Sequence, residues 1–239
     1  MGAHGLWITP LSDVAIITPT LGREQLRQCM ASIDAQIYPC KHIIVADGDM
    51  RMDFMPKHFA YWPEKVGGGT WYANRIIAAA PFLVTEPYIG FCNDDDWFKP
   101  DHVSRLMEII KRDNLAWAYS HRSIYSNDGV YLFDDRCEAL GEAHDVWNIP
   151  GHRFVDTCAL IARTEVFRCA APVYCSDQFG RDRDAYAILK KLFPNFAGVH
   201  IPTVCFRLGS SPGSASREYF EEGHKYMANT YGKVMPWER

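Results

Sequence analysis

The sequence lacks the cysteine spacings of a zinc site. Its eight cysteines include no Cys-x-x-Cys pair, and most of them lie within apolar stretches, as buried free thiols do. A secreted protein of this size would more often pair its cysteines in disulfides. We therefore expect free thiols and a reducing compartment.

Long apolar segments are absent as well. No stretch approaches the roughly 20 apolar residues that a membrane-spanning helix needs, and the amino terminus has no basic region leading into an apolar run of signal-peptide length. Internal repeats, low-complexity tracts and interdomain linkers are also missing. We expect a soluble, cytoplasmic protein without stable membrane insertion, in which residues 1–239 form a single domain behind a poorly ordered lead-in over residues 1–12.

The sequence has no excess of positive charge. Its 25 Lys and Arg residues against 29 Asp and Glu residues give a formal net charge of -4, which argues against broad electrostatic binding to nucleic acid or anionic membranes. Hydrophobic residues make up 48% of the chain, enough to bury a substantial core. A local basic patch is compatible with these counts.

The first half of the chain alternates short β-branched runs with amphipathic segments. This pattern predicts strands over 14–18, 42–46, 59–62 and 88–92, with helices over 23–36, 70–80 and 100–112, the last opening at Pro100. The second half predicts strands within 115–135 around an Asn-Asp-Gly turn, a strand over 155–163, a loop, and helices over 182–193 and 216–231. Such an order favours an α/β fold with a mostly parallel sheet.

Polar clusters follow three of the predicted strands: Thr18-Pro19-Thr20 with Arg23, then Asp47-Gly48-Asp49, then Asn93-Asp94-Asp95-Asp96. In an open α/β sheet ligands bind beyond the carboxyl ends of the strands, so the three clusters would converge on one crevice. Clustered carboxylates offer hard oxygen ligands to a divalent cation that can bridge to a phosphate-bearing substrate. The alternative is purely conformational, since Asp caps helices and Pro or Asp-Gly stops strands.

Four segments together resemble the family 2 glycosyltransferases with the GT-A fold: residues 14–23, 43–49, 67–74 and 93–100. The resemblance covers about residues 13–110 well and 150–207 more loosely. It implies a GT-A-like three-layer α/β/α fold with a mostly parallel mixed central sheet. A nucleotide-sugar-binding half would span about 13–112, and an acceptor-binding half with the C-terminal helix would span about 113–239.

The resemblance also assigns residues to the donor nucleotide. They are Thr18, Pro19, Thr20, Arg23, Asp47, Gly68, Asn74, Asn93 and Asp94. Two positions depart from the family pattern: Asn93 stands where relatives have the first carboxylate of Asp-x-Asp, and Ala73 stands where they often have Arg. The first change redistributes ribose contacts between Asn93 and Asp94, and the second removes a base or phosphate contact.

Asp95 matches the carboxylate that contacts the metal in relatives. Mn²⁺ or Mg²⁺ bridging Asp95 and the donor diphosphate would stabilise the charge that develops as the diphosphate leaves. Both ions suit carboxylate and water ligands.

The segment 180–184 resembles the late Glu-Asp-x-Asp motif, in which the Asp of Glu-Asp is the base for the acceptor hydroxyl. Asp182 takes that position, Arg181 replaces the Glu, and Asp184 follows two residues later. Asp177 is a competitor for the same role, and a capping Asp at a helix start is the structural alternative.

Four further residues are weaker site candidates. Asp96 supports or caps the acidic loop, and Trp97 lies near the site. Arg207 resembles a strand-end Arg of the family, and His200 is a substitute for the late His ligand, whose place Gly209 occupies.

The sequence therefore predicts a metal-dependent inverting glycosyltransferase that moves a sugar from a nucleoside-diphosphate sugar, UDP first among them, to an acceptor hydroxyl. Two alternatives stay open. A sugar-phosphate nucleotidyltransferase needs a Gly-rich basic loop after the first strand, which residues 18–23 match poorly. A catalytically inactive nucleotide-sugar-binding GT-A module is compatible with Asn93 and Ala73. The acceptor class is open among glycan, lipid, protein and hydroxylated nucleobase, and the net charge argues against the last.

Overall fold

A computed structural model describes residues 12–48, 56–66, 73–176, 178–210 and 215–238. Its strands are β1 Val14–Thr20, β2 Lys41–Asp47, β3 Phe59–Trp62, β4 Tyr88–Phe91, β5 Trp97–Phe98, β6 Trp117–Tyr125, β7 Tyr131–Asp134, β8 Leu160–Arg163 and β9 Phe196–Arg207. Its α-helices are α1 Leu26–Asp34, α2 Asn74–Leu83, α3 His102–Arg112, α4 Thr164–Ala170, α5 Arg181–Leu192 and α6 Arg217–Tyr231.

The strands form a single sheet in the order β3-β2-β1-β4-β8-β6-β9-β5, with β7 paired to β6. The first four strands of this order run parallel, as do β6 and β9, while β8 joins β4 and β6 antiparallel. Because β1, β2 and β4 are parallel neighbours, their carboxyl ends open at the same edge of the sheet. This edge carries the predicted polar clusters.

Helices cover both faces of the sheet. Along β1, Ala15 and Ile17 pack with residues of α2, α4 and α5, whereas Val14 and Ile16 pack with α1 and α3. Successive side chains of a strand point to opposite faces, so a strand buried on both sides reads as a continuous apolar run. The uninterrupted run in β1 thus reflects its position between two helical layers.

The last helix closes a third apolar cluster. Phe220 and Met227 of α6 are fully buried against Ile124 and Leu208. Ser216 caps this helix by accepting a hydrogen bond from the Tyr219 N–H at 3.2 Å, which satisfies one of the free donors of the first turn.

Most predicted elements of the first half are confirmed within one to three residues, and β3 matches over all of 59–62. The prediction that Pro100 opens a helix is wrong: α3 begins at His102, and Pro100 lies before the helix. The strand predicted over 155–163 is shorter, because residues 157–159 form a 3-10 helix before β8. The loop predicted after it contains α4 and a further 3-10 helix over 171–175.

All eight cysteines are free thiols. Five of them are buried, as the apolar sequence context predicted: Cys29, Cys92, Cys137, Cys158 and Cys205. Among the described residues, no helix has both the length and the hydropathy needed to cross a bilayer.

Candidate functional site

A cleft of about 390 Å³ lies beyond the carboxyl ends of β1, β2 and β4. One wall carries strand-end residues from all three predicted clusters: Pro19, Thr20, Arg23, Asp47, Asn93, Asp94, Asp95 and Asp96. The rest of the described lining includes residues from the second half of the chain: Glu138, Phe154, Asp156, Phe179, Arg181, Asp182 and Arg183. The structure therefore brings the three clusters and the predicted base into the lining of one cleft.

Asp94 ties the end of β4 to the end of β1. Its Oδ2 accepts hydrogen bonds from Thr20 Oγ1 at 2.7 Å and from the Leu21 N–H at 3.1 Å. Burial raises the pKa of Asp94 above its ordinary value, although the Arg23 guanidinium opposes this shift. These bonds hold the two predicted nucleotide-binding segments next to each other.

Asp95 forms an ion pair with the Arg23 guanidinium through one of its two oxygens. Its Oδ2 lies 2.6 Å from Nη1 of Arg23, and 13% of the side chain is exposed. Within the part of the chain that the structure describes, Oδ1 of Asp95 accepts no hydrogen bond. Oδ1 of Asp94 likewise accepts no hydrogen bond among the described residues, although it lies 3.7 Å from Nη1 of Arg23. Asp94 and Asp95 thus each keep one oxygen free of hydrogen bonds in the described cleft, and Asp95 is the more exposed of the two.

Asp96 is buried, and both of its oxygens are used. Oδ1 accepts the Arg207 N–H at 2.9 Å, and Oδ2 accepts Nδ2 of Asn93 at 3.1 Å. Burial raises the pKa of Asp96 well above its ordinary value, and the charge of Asp95 adds to the shift. A carboxylate at position 93 would face that of Asp96, so the departure at Asn93 supplies the donor that Asp96 needs.

Arg207 stabilises the acidic loop, residues 93–96, through hydrogen bonds. Its Nε donates to the Asp95 carbonyl at 2.9 Å, and its Nη1 donates to the Asn127 carbonyl at 2.7 Å. The guanidinium lies over the Trp97 ring at 4.9 Å, and Trp97 packs edge-on against Tyr125. Trp97 is therefore near the site but is not one of the residues that line the cleft.

The other predicted donor residues have different positions. Asp47 lines the cleft and accepts the Val66 N–H at 2.6 Å. Thr18 is buried, and its Oγ1 lies 2.8 Å from Nε2 of His42, so it does not line the cleft. Asn74 lines the cleft while its amide donates to the Ser176 carbonyl at 3.1 Å. Gly68 and Asp177 lie outside the described residues.

Asp182 occupies the first turn of α5, which begins after Gly180 in the left-handed conformation, φ 78°. Its Oδ1 accepts the Arg183 N–H at 2.9 Å. Burial raises the pKa of Asp182 to about 7; Arg183 opposes the shift, and the charges of Asp156 and Glu138 add to it. A carboxyl group with this pKa exchanges its proton near neutral pH, which is the property of a general base.

The structure adds a buried ion cluster that the sequence reasoning missed. Arg122 in β6 donates through Nε to Asp135 at 2.9 Å and through Nη1 to Asp156 at 2.8 Å, and its Nη2 contacts Glu138. The guanidinium also lies over Phe206 at 4.5 Å. The sequence does contain a signal for this cluster, because Arg122 is a charged residue inside the otherwise uncharged run 117–125.

Two weaker candidates do not line the cleft. Asp184 pairs with Nη1 of Arg181 at 2.8 Å and is 48% exposed. His200 is exposed on β9, with Nδ1 3.3 Å from Nε2 of His121. His200 therefore does not line the cleft that contains Asp94, Asp95 and Asp96, where a metal-binding His would have to lie.

A divalent cation fits the cleft through Asp95, because Mg²⁺ and Mn²⁺ are held by one or two carboxylates together with waters and substrate phosphates. The ligand atoms of a second group, Asp135, Cys137 and His224, lie within 4.8 Å of one another. Asp135 already accepts hydrogen bonds from Arg122 and from the backbone of Cys137, and burial raises the pKa of the Cys137 thiol. This group therefore fits a hard cation poorly.

No protein-family model and no curated protein matches this sequence. Solved structures of S. aureus TarS are similar to it in fold. The chain aligns with TarS 1-349 in complex with UDP-GlcNAc at TM-score 0.61 and 12% identity, covering 90% of this chain and 66% of that one. With TarS 1-349 in complex with UDP, the TM-score is 0.58 and the identity 13%, and the alignment covers 90% of this chain and 64% of that one.

The likeness confirms the fold. The chain has a GT-A-like mixed α/β architecture, as the sequence predicted. It spans just under two thirds of the two TarS chains.

Proposed function

We propose that this protein is a metal-dependent inverting glycosyltransferase that uses a nucleoside-diphosphate sugar, with UDP as the first nucleotide to test. The observation that carries the proposal is the convergence of three strand-end clusters on one cleft that also contains Asp182, with Asp95 bound to Arg23 through one of its two oxygens. The TarS structures of similar fold hold UDP-GlcNAc and UDP, which supports the choice of donor.

The charges of the cleft support metal dependence. Seven acidic residues line it: Asp47, Asp94, Asp95, Asp96, Glu138, Asp156 and Asp182. Six basic residues line it: Arg23, Lys65, Arg122, Arg181, Arg183 and Arg207. Asp94 and Asp95 are neighbours in this lining, so a cation that entered with the diphosphate would offset their repulsion of the phosphate charges. Asp95 would hold that cation, which would supply charge stabilisation to the departing diphosphate.

Asp182 would remove the proton from the acceptor hydroxyl. The hydroxyl oxygen then forms a bond to the anomeric carbon, and the bond from that carbon to the diphosphate oxygen breaks on the opposite face. The nucleoside diphosphate leaves with the electron pair, and the configuration at the anomeric carbon inverts. The presence of Asp95 and Asp182 in the lining of the same cleft supports this arrangement.

A thermal-shift experiment tests donor and metal binding together. The full chain is heated with UDP, CDP, GDP or ADP, each with and without Mn²⁺. At a hundredfold excess over its dissociation constant, a ligand adds about 2.7 kcal/mol of stability, which corresponds to about 5–10 °C in Tm for a chain of this size. We expect that shift with UDP and Mn²⁺ together and a smaller one with UDP alone.

Asp95→Asn is the decisive variant, and Asp113→Asn is its control, because Asp113 is exposed at the end of α3. We expect Asp95→Asn to lose the Mn²⁺-dependent part of the shift and Asp113→Asn to keep it. If no nucleotide stabilises the chain in a metal-dependent way, the proposed function is wrong. An Asp95→Asn variant that responds like the wild type would sink the metal assignment alone.

Product analysis separates transfer from the two alternatives. A glycosyltransferase releases UDP from a UDP-sugar, whereas a nucleotidyltransferase releases pyrophosphate from UTP and a sugar phosphate. An inactive binding module shows the thermal shift without either product. We expect UDP release, measured with and without a panel of hydroxyl acceptors.

A further inference from the structure

Arg181 opens α5 immediately before Asp182 and lines the cleft. Its Nη1 pairs with Asp184 at 2.8 Å. Its Nε is buried and has no hydrogen-bond partner. Among the described residues, Nη2 of Arg181 donates no hydrogen bond either, so one edge of the guanidinium is uncommitted.

That edge has the geometry of an oxyanion site. Nε–H and the adjacent Nη2–H of a guanidinium point in parallel, and they match two oxygens of a phosphate or carboxylate. A buried donor without a partner costs free energy, so such a group in a folded protein calls for an explanation. A ligand that supplies two oxygens would satisfy both donors at once.

The other arginines of the cleft are already engaged. Arg122 binds three carboxylates, and Arg183 contacts Glu138 and Asp182 while its guanidinium lies over Phe154 at 4.1 Å. Arg207 holds the acidic loop through backbone carbonyls. Within the described part of the cleft, Arg181 is the arginine with an unpaired buried Nε.

The position of Arg181 next to Asp182 indicates which substrate carries the oxyanion. Asp182 would receive the acceptor hydroxyl proton, and in an inverting displacement the diphosphate leaves from the face opposite the acceptor. An anion bound one residue from Asp182 therefore belongs to the acceptor side. We infer that Arg181 binds an oxyanion carried by the acceptor, so that the acceptor is a hydroxyl compound bearing a phosphate or carboxylate group. This inference rests on the proposed function.

Calorimetric titration of the full chain tests the inference with a matched pair of probes, glycerol and sn-glycerol 3-phosphate. Each probe is titrated into the protein alone and into the protein saturated with UDP and Mn²⁺, which occupy the donor site. The variants are Arg181→Met and Arg181→Lys. Arg217→Met is the control, because Arg217 also opens a helix and pairs with an acidic residue, Glu221, outside the cleft.

We expect the wild type and Arg217→Met to bind sn-glycerol 3-phosphate but not glycerol, in both states of the donor site. Arg181→Met should weaken this binding by about tenfold or more. Arg181→Lys should fall between the two, since Lys keeps the charge and loses the paired donors. UDP affinity should change by less than about twofold in every variant, given that the donor has its own subsite.

Equal binding by the wild type and Arg181→Met overturns the inference. So does a loss of UDP affinity in Arg181→Met as large as the loss for sn-glycerol 3-phosphate, because the site would then belong to the donor diphosphate. If the wild type binds no UDP, the proposed function is wrong. Titration of the protein alone with sn-glycerol 3-phosphate still measures whether Arg181 binds an oxyanion, so the two failures are distinguishable.

Thermal melting separates ligand binding from a structural role. The lost Nε donor has no partner, so Arg181→Met should melt no lower than Arg217→Met. If Arg181→Met melts far lower, the guanidinium is structural, and the inference stands only if the well-folded Arg181→Lys shows the intermediate affinity.

Discussion

Asp95 and Asp182 line the same cleft in different surroundings. The carboxylate of Asp95 is paired with Arg23 through one oxygen, while burial raises the pKa of Asp182 to about 7. A carboxylate that is bound through one oxygen keeps the other oxygen available to a cation. A carboxyl group that titrates near neutral pH can take up and release a proton.

The pKa of Asp182 predicts a pH-dependent activity. The base acts when it is ionised, so kcat/KM for sugar transfer should rise with pH and level off above about 7. Asp182→Asn should lower kcat by about 10²–10⁴-fold. A profile that stays flat between pH 5 and 8 would contradict the assignment of Asp182 as the base.

The same pKa predicts a stability change with a definite sign. Between about 3.9, the pKa of an unfolded Asp, and about 7, the folded protein holds a proton that the unfolded chain has lost. The contribution of Asp182 to stability therefore declines as pH rises through this window.

Urea unfolding at pH 5 and pH 8 measures this effect. Asp182→Asn should be more stable relative to the wild type at pH 8 than at pH 5. The control is Asp34→Asn, since Asp34 is exposed at the end of α1. If both variants follow the wild type at the two pH values, the shifted pKa is absent.

At the scale of elements, Asn74 joins the first turn of α2 to the segment before α5. Its Nδ2 lies 3.1 Å from the Ser176 carbonyl and 3.4 Å from the Gln178 carbonyl, and the residue is 6% exposed. This link connects α2 with the segment that leads into α5, the helix that carries Asp182. The side chain thus has a structural task beside any contact with the donor.

Asn74→Asp should lower the free energy of unfolding by about 1–3 kcal/mol, because a buried carboxylate would replace the donor that faces two carbonyl oxygens. Urea unfolding at pH 7 measures the loss. Asn195→Asp is the control, since the Asn195 amide also donates to a carbonyl, that of Asn114, but on the surface. If the free energy of unfolding falls equally in the two variants, the hydrogen bonds of Asn74 contribute no more to stability than the surface hydrogen bond of Asn195.

Elements differed in how far local sequence predicted them. The β-branched run of β1 and the Asn127-Asp128-Gly129 turn between β6 and β7 carry strong local signals, and the structure confirms both. The helix α4 spans only Thr164–Ala170. Because so short a helix gains its stability from packing rather than from its own propensity, local pattern did not predict it. Phe167 of α4 packs on Phe91 with ring centroids 4.8 Å apart, and Val166 and Ala170 of the same helix are buried in the same core cluster.

At the scale of the whole molecule, Arg122 connects three parts of the chain. It pairs with Asp135 after β7, with Glu138 in the following loop and with Asp156 at the start of a 3-10 helix. Asp156 and Glu138 in turn line the cleft. The buried Arg122 guanidinium therefore fixes this part of the cleft lining through contacts that are distant in sequence.

Arg122→Met should lower the free energy of unfolding by about 3–5 kcal/mol at pH 7, because it leaves three buried carboxylates without their cation. Although burial opposes the effect, Arg122 lowers the pKa of Asp135, and the stabilisation that this represents is lost in acid. The deficit should therefore shrink as the pH falls. Arg153→Met is the control, since exposed Arg153 pairs with Glu142 and Asp145 and should cost at most about 1 kcal/mol. A pH-independent deficit would indicate lost packing against Phe206 instead.

The sequence by itself determined the α/β class and the convergence of Pro19, Asp47 and Asn93–Asp96 at one edge, because parallel strands with apolar runs place their carboxyl ends together. Tertiary structure alone decided what each carboxylate does. Spacing does not show that Asp94 binds Thr20, that Asp96 binds Asn93, or that Arg122 gathers its three partners. Burial and hydrogen bonding set the charge and direction of a carboxylate, and both arise only when distant segments pack.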